Sequence, residues 1–128
     1  MAEFYLKPDA KLFDKVAKDW SKEIYGDKKD PLTNKNQIRN FYEKVLKYHN
    51  LVDKKEQTFD EVLPFIKMIN AQIEYARGRK TVKGAFGDFM KKGIENINSE
   101  EELKNFKLLF EAVIGFFIGL DLDKKGQR

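Results

Sequence analysis

Apolar side chains return every third or fourth position along this chain, and the apolar/polar alternation of a half-buried strand is almost absent. The pattern predicts an all-α fold, a single compact bundle of about five helices in which residues 1–128 form one helical domain. The first helix is expected over Ala10–Tyr25, with Leu12, Phe13, Val16, Trp20 and Ile24 on one face and Asp9, just after Pro8, as its N-cap. Gly26-Asp-Lys-Lys-Asp-Pro31 ends it and forms the longest linker, so residues 1–32 read as an N-terminal helix and its connection.

A polar cap at Thr33 or Asn34 then precedes Ile38, Phe41, Tyr42, Val45, Leu46 and His49, spaced i, i+3, i+4, i+7, i+8 and i+11. This second helix should end near Asn50. Thr58 followed by Glu61 has the spacing of a capping box and opens a third helix that runs to about Gly78. Val62, Ile66, Ile69, Ile73 and Ala76 share one line of it, Lys67, Asn70 and Glu74 another, and Arg77 falls between; Pro64 is tolerated in the first two turns. A fourth segment, Lys80–Asn96, turns Val82, Phe86, Phe89, Gly93 and Ile97 inward, and Gly84, Gly87 and Gly93 predict a break or kink. Ser99-Glu-Glu-Glu102 is a second capping box, with carboxylates suited to a positive helix N-terminus. The last helix that it opens is apolar nearly all round from Leu108, as befits a central helix or one that also docks on another molecule. Residues 121–128 are polar and expected to fray.

At 128 residues and 15.1 kDa the chain suffices for one core. Without cysteine it can form no disulfide and no thiolate metal site, and a reducing cytoplasm is the natural compartment. The start, Met1-Ala-Glu-Phe-Tyr-Leu-Lys-Pro8, has no signal-peptide pattern, and Leu108–Leu120 is too short for a membrane span and contains Glu111. A net charge of +4 and a pI near 9.1 favour a polyanionic partner if the charge is clustered.

Catalysis is hard to build from these residues. With one histidine and no cysteine, histidine-pair acid–base sites, cysteine nucleophiles and most zinc or iron sites are excluded. His49, beside Val45 and Leu46, reads as a packed histidine at a helix end. The carboxylates are scattered, Glu74 and Glu111 are expected to pair with lysine or arginine, and no phosphate-cradling glycine loop follows a strand. Neither a metal nor a cofactor is expected.

A binding surface remains. Lys80, Lys83, Gly84, Gly87 and Lys91 at i, i+3, i+4, i+7 and i+11 would form a face where lysines surround two residues without side chains, open to a phosphate backbone; the competing reading is a solvated face. Arg39, Lys67, Arg77 and Arg79 extend it, and arginine's planar fork suits phosphate. Phe41 and Tyr42 read as core, while Tyr75 faces away from the apolar line and stays open to stacking on a base. Gly115 and Gly119 are expected to permit close helix packing.

Three segments also carry a resemblance: Asn36-Gln-Ile-Arg-Asn-Phe-Tyr42, Leu63-Pro-Phe-Ile-Lys-Met-Ile-Asn-Ala-Gln-Ile-Glu-Tyr-Ala-Arg77 and Asn105-Phe-Lys-Leu-Leu-Phe-Glu-Ala-Val-Ile-Gly-Phe-Phe117. In order and spacing they resemble the small-subunit (Csm small subunit) family of type III-A CRISPR RNA-guided effector complexes, over roughly two thirds of the chain from about Thr33 to Phe117. The resemblance implies a non-catalytic subunit of a cytoplasmic prokaryotic ribonucleoprotein in antiviral defence. Its partners would be guide RNA and target RNA, the backbone and large subunits, and further stacked copies of itself, with no membrane.

Sequence would be read by base pairing, so the subunit itself need recognise only phosphates and duplex shape. Carried over by motif, the RNA-binding residues are Arg39, Lys67, Arg77 and Lys107; Arg79, Lys80 and Lys83 are added by position. Stacked copies imply a head-to-tail interface, for which Phe116, Phe117 and Leu120 are candidates; the family often has tyrosine where Phe116-Phe117 stands. The reading from a different class is a helical protein–protein adaptor with a solvated basic face and no RNA contact.

Overall fold

A computed structural model describes residues 2–27, 30–31 and 33–126, with side chains placed for 2–26 and 33–123. The expected all-α fold is found. Lys11, not the expected Asp9, takes the N-cap position of the first helix, while Asp9 Oδ1 accepts the amides of Lys11 at 2.9 Å and Leu12 at 2.8 Å from just before it. The expected Ala10–Tyr25 helix is, however, of two kinds. A π-helical turn, Leu12–Val16, in which Val16 N reaches back to Lys11 O at 3.0 Å, leads into α1, Ala17–Tyr25.

Gly26 ends α1 at φ 67°, a left-handed backbone that favours glycine, and Gly26–Asp27 pairs antiparallel with Asp30–Pro31 in a two-residue ladder. The ends of the expected linker are thus paired with each other; Lys28 and Lys29 within it, and Leu32 after it, lie outside the described residues. Then follow α2, Lys35–Asp53, α3, Phe59–Gly78, α4, Gly84–Asn96, and α5, Glu100–Gly126.

Asn34 is the N-cap of α2, accepting Asn36 N at 2.6 Å, and Thr58 with Glu61 forms the reciprocal capping box of α3. At α5, Ser99 Oγ accepts Glu102 N at 3.1 Å, while Glu102 Oε1 accepts Ser99 Oγ and Asn98 N. α2 runs past Asn50 to Asp53. α4 begins at Gly84 rather than Lys80, so the expected kink is a break before the helix. α5 carries on through Asp121, whose carboxylate accepts Lys35 Nζ at 3.3 Å, and stays helical to Gly126 where fraying was expected; residues 127–128 lie outside the described residues.

Leu103, Phe106, Leu109, Phe110 and Val113 are buried as α5 packs on α1 and α2, and the rings of Phe106 and Phe110 meet Phe86 and Phe89 of α4 in an aromatic core with Trp20. Burial of side chains this size stabilises by about 1.5–3 kcal/mol each. Residues 2–6 lie over that core, because Trp20 Nε1 donates to Glu3 O at 2.7 Å and the Phe4 ring meets Trp20 edge-on. α3 closes the bundle against α4 and α2, burying the expected Val62, Ile66, Ile69, Ile73 and Ala76. Gly93 of α4 leaves the room that the Phe106 ring of α5 occupies. A side chain there would collide with the Phe106 ring.

Candidate nucleic-acid interface

The basic residues expected to bind RNA do not form one surface. Four of them, Arg77, Arg79, Lys80 and Lys83, gather at the corner between α3 and α4. The corner is shaped by Lys80, which takes φ 63° and reverses the chain, with Thr81 N and Oγ1 both donating to Ala76 O. Val82 is buried and plugs the turn into the core. Lys83 N donates to the buried Thr33 Oγ1 at 3.1 Å, which ties the start of α4 to the start of α2. Of the two caps expected for α2, Asn34 takes the place and Thr33 serves the start of α4 instead.

Lys83 occupies the N-cap of α4 and offers its first amides no side-chain acceptor. The positive end of a helix thus meets three exposed cations, Arg79, Lys80 and Lys83. Arg79 Nη1 donates to Tyr75 Oη at 3.0 Å, and its guanidinium stands 5.6 Å from the centroid of that ring. Tyr75 is 66% exposed, which leaves it open to stacking.

Arg77 reaches the corner from the other flank of α3, where its stem crosses Gly87 of α4 and its Nη1 stands 3.4 Å from Glu74 Oε1. The expected lysine-and-glycine face is therefore absent as drawn. Lys80 and Lys83 precede the helix, and Gly87 is buried beneath Arg77.

The other three lie elsewhere. Lys67, ten residues and about 15 Å before Arg77 on α3, donates from Nζ to Ile94 O at 2.7 Å and Asn98 Oδ1 at 3.2 Å. Its ammonium closes the C-terminal end of α4, where a cation also suits the helix dipole. Lys107 Nζ stands 2.7 Å from Glu111 Oε1, which accepts Tyr42 Oη at 2.6 Å across the α2/α5 seam. Partial burial works to raise the Glu111 pKa, but the Lys107 and Tyr42 hydrogen bonds outweigh it and hold the carboxyl below its ordinary value. Partial burial and the same carboxylate push the Tyr42 phenol above its usual range. Arg39 is exposed on α2 beside a crevice of Ile114, Phe117 and Ile118, so it shares the α5 side with Lys107. As expected, Glu74 and Glu111 both pair with cations, and Phe41 is core.

The expected interface residues also divide. Phe117 is buried, its ring 5.2 Å from that of Tyr25, and serves the core rather than a partner. Phe116 and Leu120 line a groove of about 280 Å³ with Lys18 and Lys22 of α1. Gly115 and Gly119 border it with open space where a side chain would stand, so they pack no helix of this chain.

One surface escaped the sequence reading. Phe65, Met68 and Tyr75, 52–66% exposed, lie on one stripe of α3 with Gln72, at i, i+3, i+10 and i+7, and Arg79 continues it just past the helix end. It borders an open groove of about 610 Å³ lined by Gln37, Asn40, Lys44, Lys47, Tyr48 and Gln72. The helical spacing of the stripe was visible in sequence, but the adjoining core line drew the assignment.

His49 lies within α2 rather than at its end, half-buried, with Nδ1 buried and without a hydrogen-bond partner. Among the described residues no three histidine or carboxylate side chains are grouped to hold a metal ion, and no helix is long and apolar enough to cross a membrane.

Against this geometry, the family model described as Csm2 Type III-A matches residues 7–117. The chain belongs to that family. The match begins well before Thr33, so α1 is part of the family pattern although its sequence displayed no motif. No curated protein and no solved structure matches the chain. Membership makes the protein a subunit of a type III-A CRISPR effector complex, and the family is one of generally non-catalytic structural subunits.

Proposed function

We propose that this Csm2-family subunit grips the phosphate backbone of target RNA paired to the guide, in antiviral defence in the prokaryotic cytoplasm. The α3/α4 corner carries the reading. Arg79, Lys80 and Lys83 surround an N-terminus of α4 that has no side-chain cap, and none of the three forms an ion pair among the described residues. Cations left free of carboxylates at the positive end of a helix are suited to a chain of phosphates. Tyr75, braced by Arg79, supplies a stacking face beside them.

Lys67 and Lys107 serve the fold in this scheme, and Arg39 makes a separate contact on the α5 side. The groove of Phe116 and Leu120, floored by two open glycines, receives the neighbouring copy in the stack, and the backbone and large subunits flank it.

The test is fluorescence anisotropy of the full chain with a labelled single-stranded RNA and with the same RNA paired to a guide, across a salt series. Binding should be independent of sequence and fall steeply with salt. A triple Arg79→Ala, Lys80→Ala, Lys83→Ala variant should keep its fold and flatten the salt dependence by about 2 to 3 units, since each released phosphate contact contributes roughly 0.7–0.9. Wild-type affinity in the triple variant would remove the corner from the RNA site and favour the adaptor reading.

A further inference from the structure

α4 has a notch where a side chain is missing. A Cβ built on Gly87 would stand 2.8 Å from Arg77 Cδ and 3.2 Å from Arg77 Nε, so the arginine stem occupies the space that any other residue would fill. Gly87 is buried, whereas the Arg77 side chain keeps 37% of its surface exposed. The stem is seated and the fork is not. Nη1 leans on Glu74 at 3.4 Å, an exposed pair of the kind that contributes little and yields to a competing anion.

We infer that Gly87 is a positioning residue for RNA binding: its missing side chain seats the Arg77 stem so that the guanidinium is presented at the α3/α4 corner already aimed. The inference rests on the corner being the RNA site. An arginine free to rotate gives up side-chain freedom when it binds phosphate, and a seated one has already given it up. The planar fork then offers paired donors in a fixed direction, which a lysine at this place would not.

The geometry separates fold from binding. The atoms in the way of a new methyl belong to a flexible side chain, so Gly87→Ala displaces Arg77 outward instead of opening the helix pair. The experiment compares wild type, Gly87→Ala, Arg77→Ala and the double variant for melting temperature and for affinity to guide-paired RNA over a salt series. Gly87→Ala should melt no lower than wild type. It should nevertheless bind RNA more weakly, by on the order of tenfold, with a salt dependence flatter by about 0.7–0.9, as Arg77→Ala does. The double variant should bind no worse than Arg77→Ala alone.

Wild-type affinity in Gly87→Ala beside a loss in Arg77→Ala overturns the positioning role and leaves the RNA reading intact. Equal affinity in wild type and Arg77→Ala overturns it from the other side, and the triple variant at Arg79, Lys80 and Lys83 then reports on the corner separately. A second measurement needs no variant. In the free wild-type protein the Arg77 Cδ methylene should show restricted motion by NMR relaxation and shift with added RNA, and a motionally averaged stem would reject the seat.

Discussion

Gly87 and Gly93 stand on the same helix, and each leaves room for a side chain from a neighbour, yet the two notches differ in what fills them. At Gly93 the occupant is the ring of Phe106, itself fully buried and 5.3 Å and 5.7 Å from the rings of Phe89 and Phe110. At Gly87 it is the stem of Arg77, whose far end is exposed. A close-packed aromatic cluster has nowhere to move, whereas an arginine has a solvent side to retreat to. The same residue type therefore admits a fixed ring at one position and a movable stem at the other.

The widest break in that comparison is Gly93→Ala. It should destabilise by roughly 1–3 kcal/mol in urea unfolding, because overpacking a rigid core cannot be relieved locally. The cost should shrink when Phe106→Ala has already removed the ring; an undiminished cost would mean that the methyl collides with something else.

The two cations that α3 sends to α4 supply the next contrast. Lys67→Ala should lower stability by about 1 kcal/mol through loss of the hydrogen bonds that close α4, with RNA affinity unchanged, the converse of Arg77→Ala. A loss of RNA binding without loss of stability would return Lys67 to the interface.

The smallest effect is at the α2/α5 seam. Tyr42→Phe should cost on the order of 1 kcal/mol or less at neutral pH, the site being partly exposed. Because the folded Glu111 pKa lies below its unfolded value, the stabilisation is complete above the unfolded value and is lost as pH falls through the folded one. Thermal unfolding of both proteins from neutral to acid pH should show the difference closing there; a constant gap would show that the phenol serves packing alone.

Most of the architecture was legible because it depends on local rules. The stripes of α2 and α3, the capping box of α3 and the Ser99 cap of α5 follow from spacing, and the buried Val62, Ile66, Ile69, Ile73 and Ala76 lie where that spacing puts them. The positive φ of Lys80 was not legible, since a lysine carries no mark of the left-handed turn that moves the start of α4 to Gly84. Nor were the partners of the cations. Arg77, Lys67 and Lys107 look alike along the chain, and only the approach of α4 or α5 decides that one meets a glycine, one a helix end and one a carboxylate.

The chain has a single tryptophan, Trp20, which is fully buried between the rings of Phe4 and Phe89. Its indole is an intrinsic lamp set in the α1/α4/α5 core: its fluorescence should redden when that core opens to water. Emission can therefore be followed in the same cuvette as a labelled RNA, one colour reporting whether the fold holds and the other whether RNA is bound.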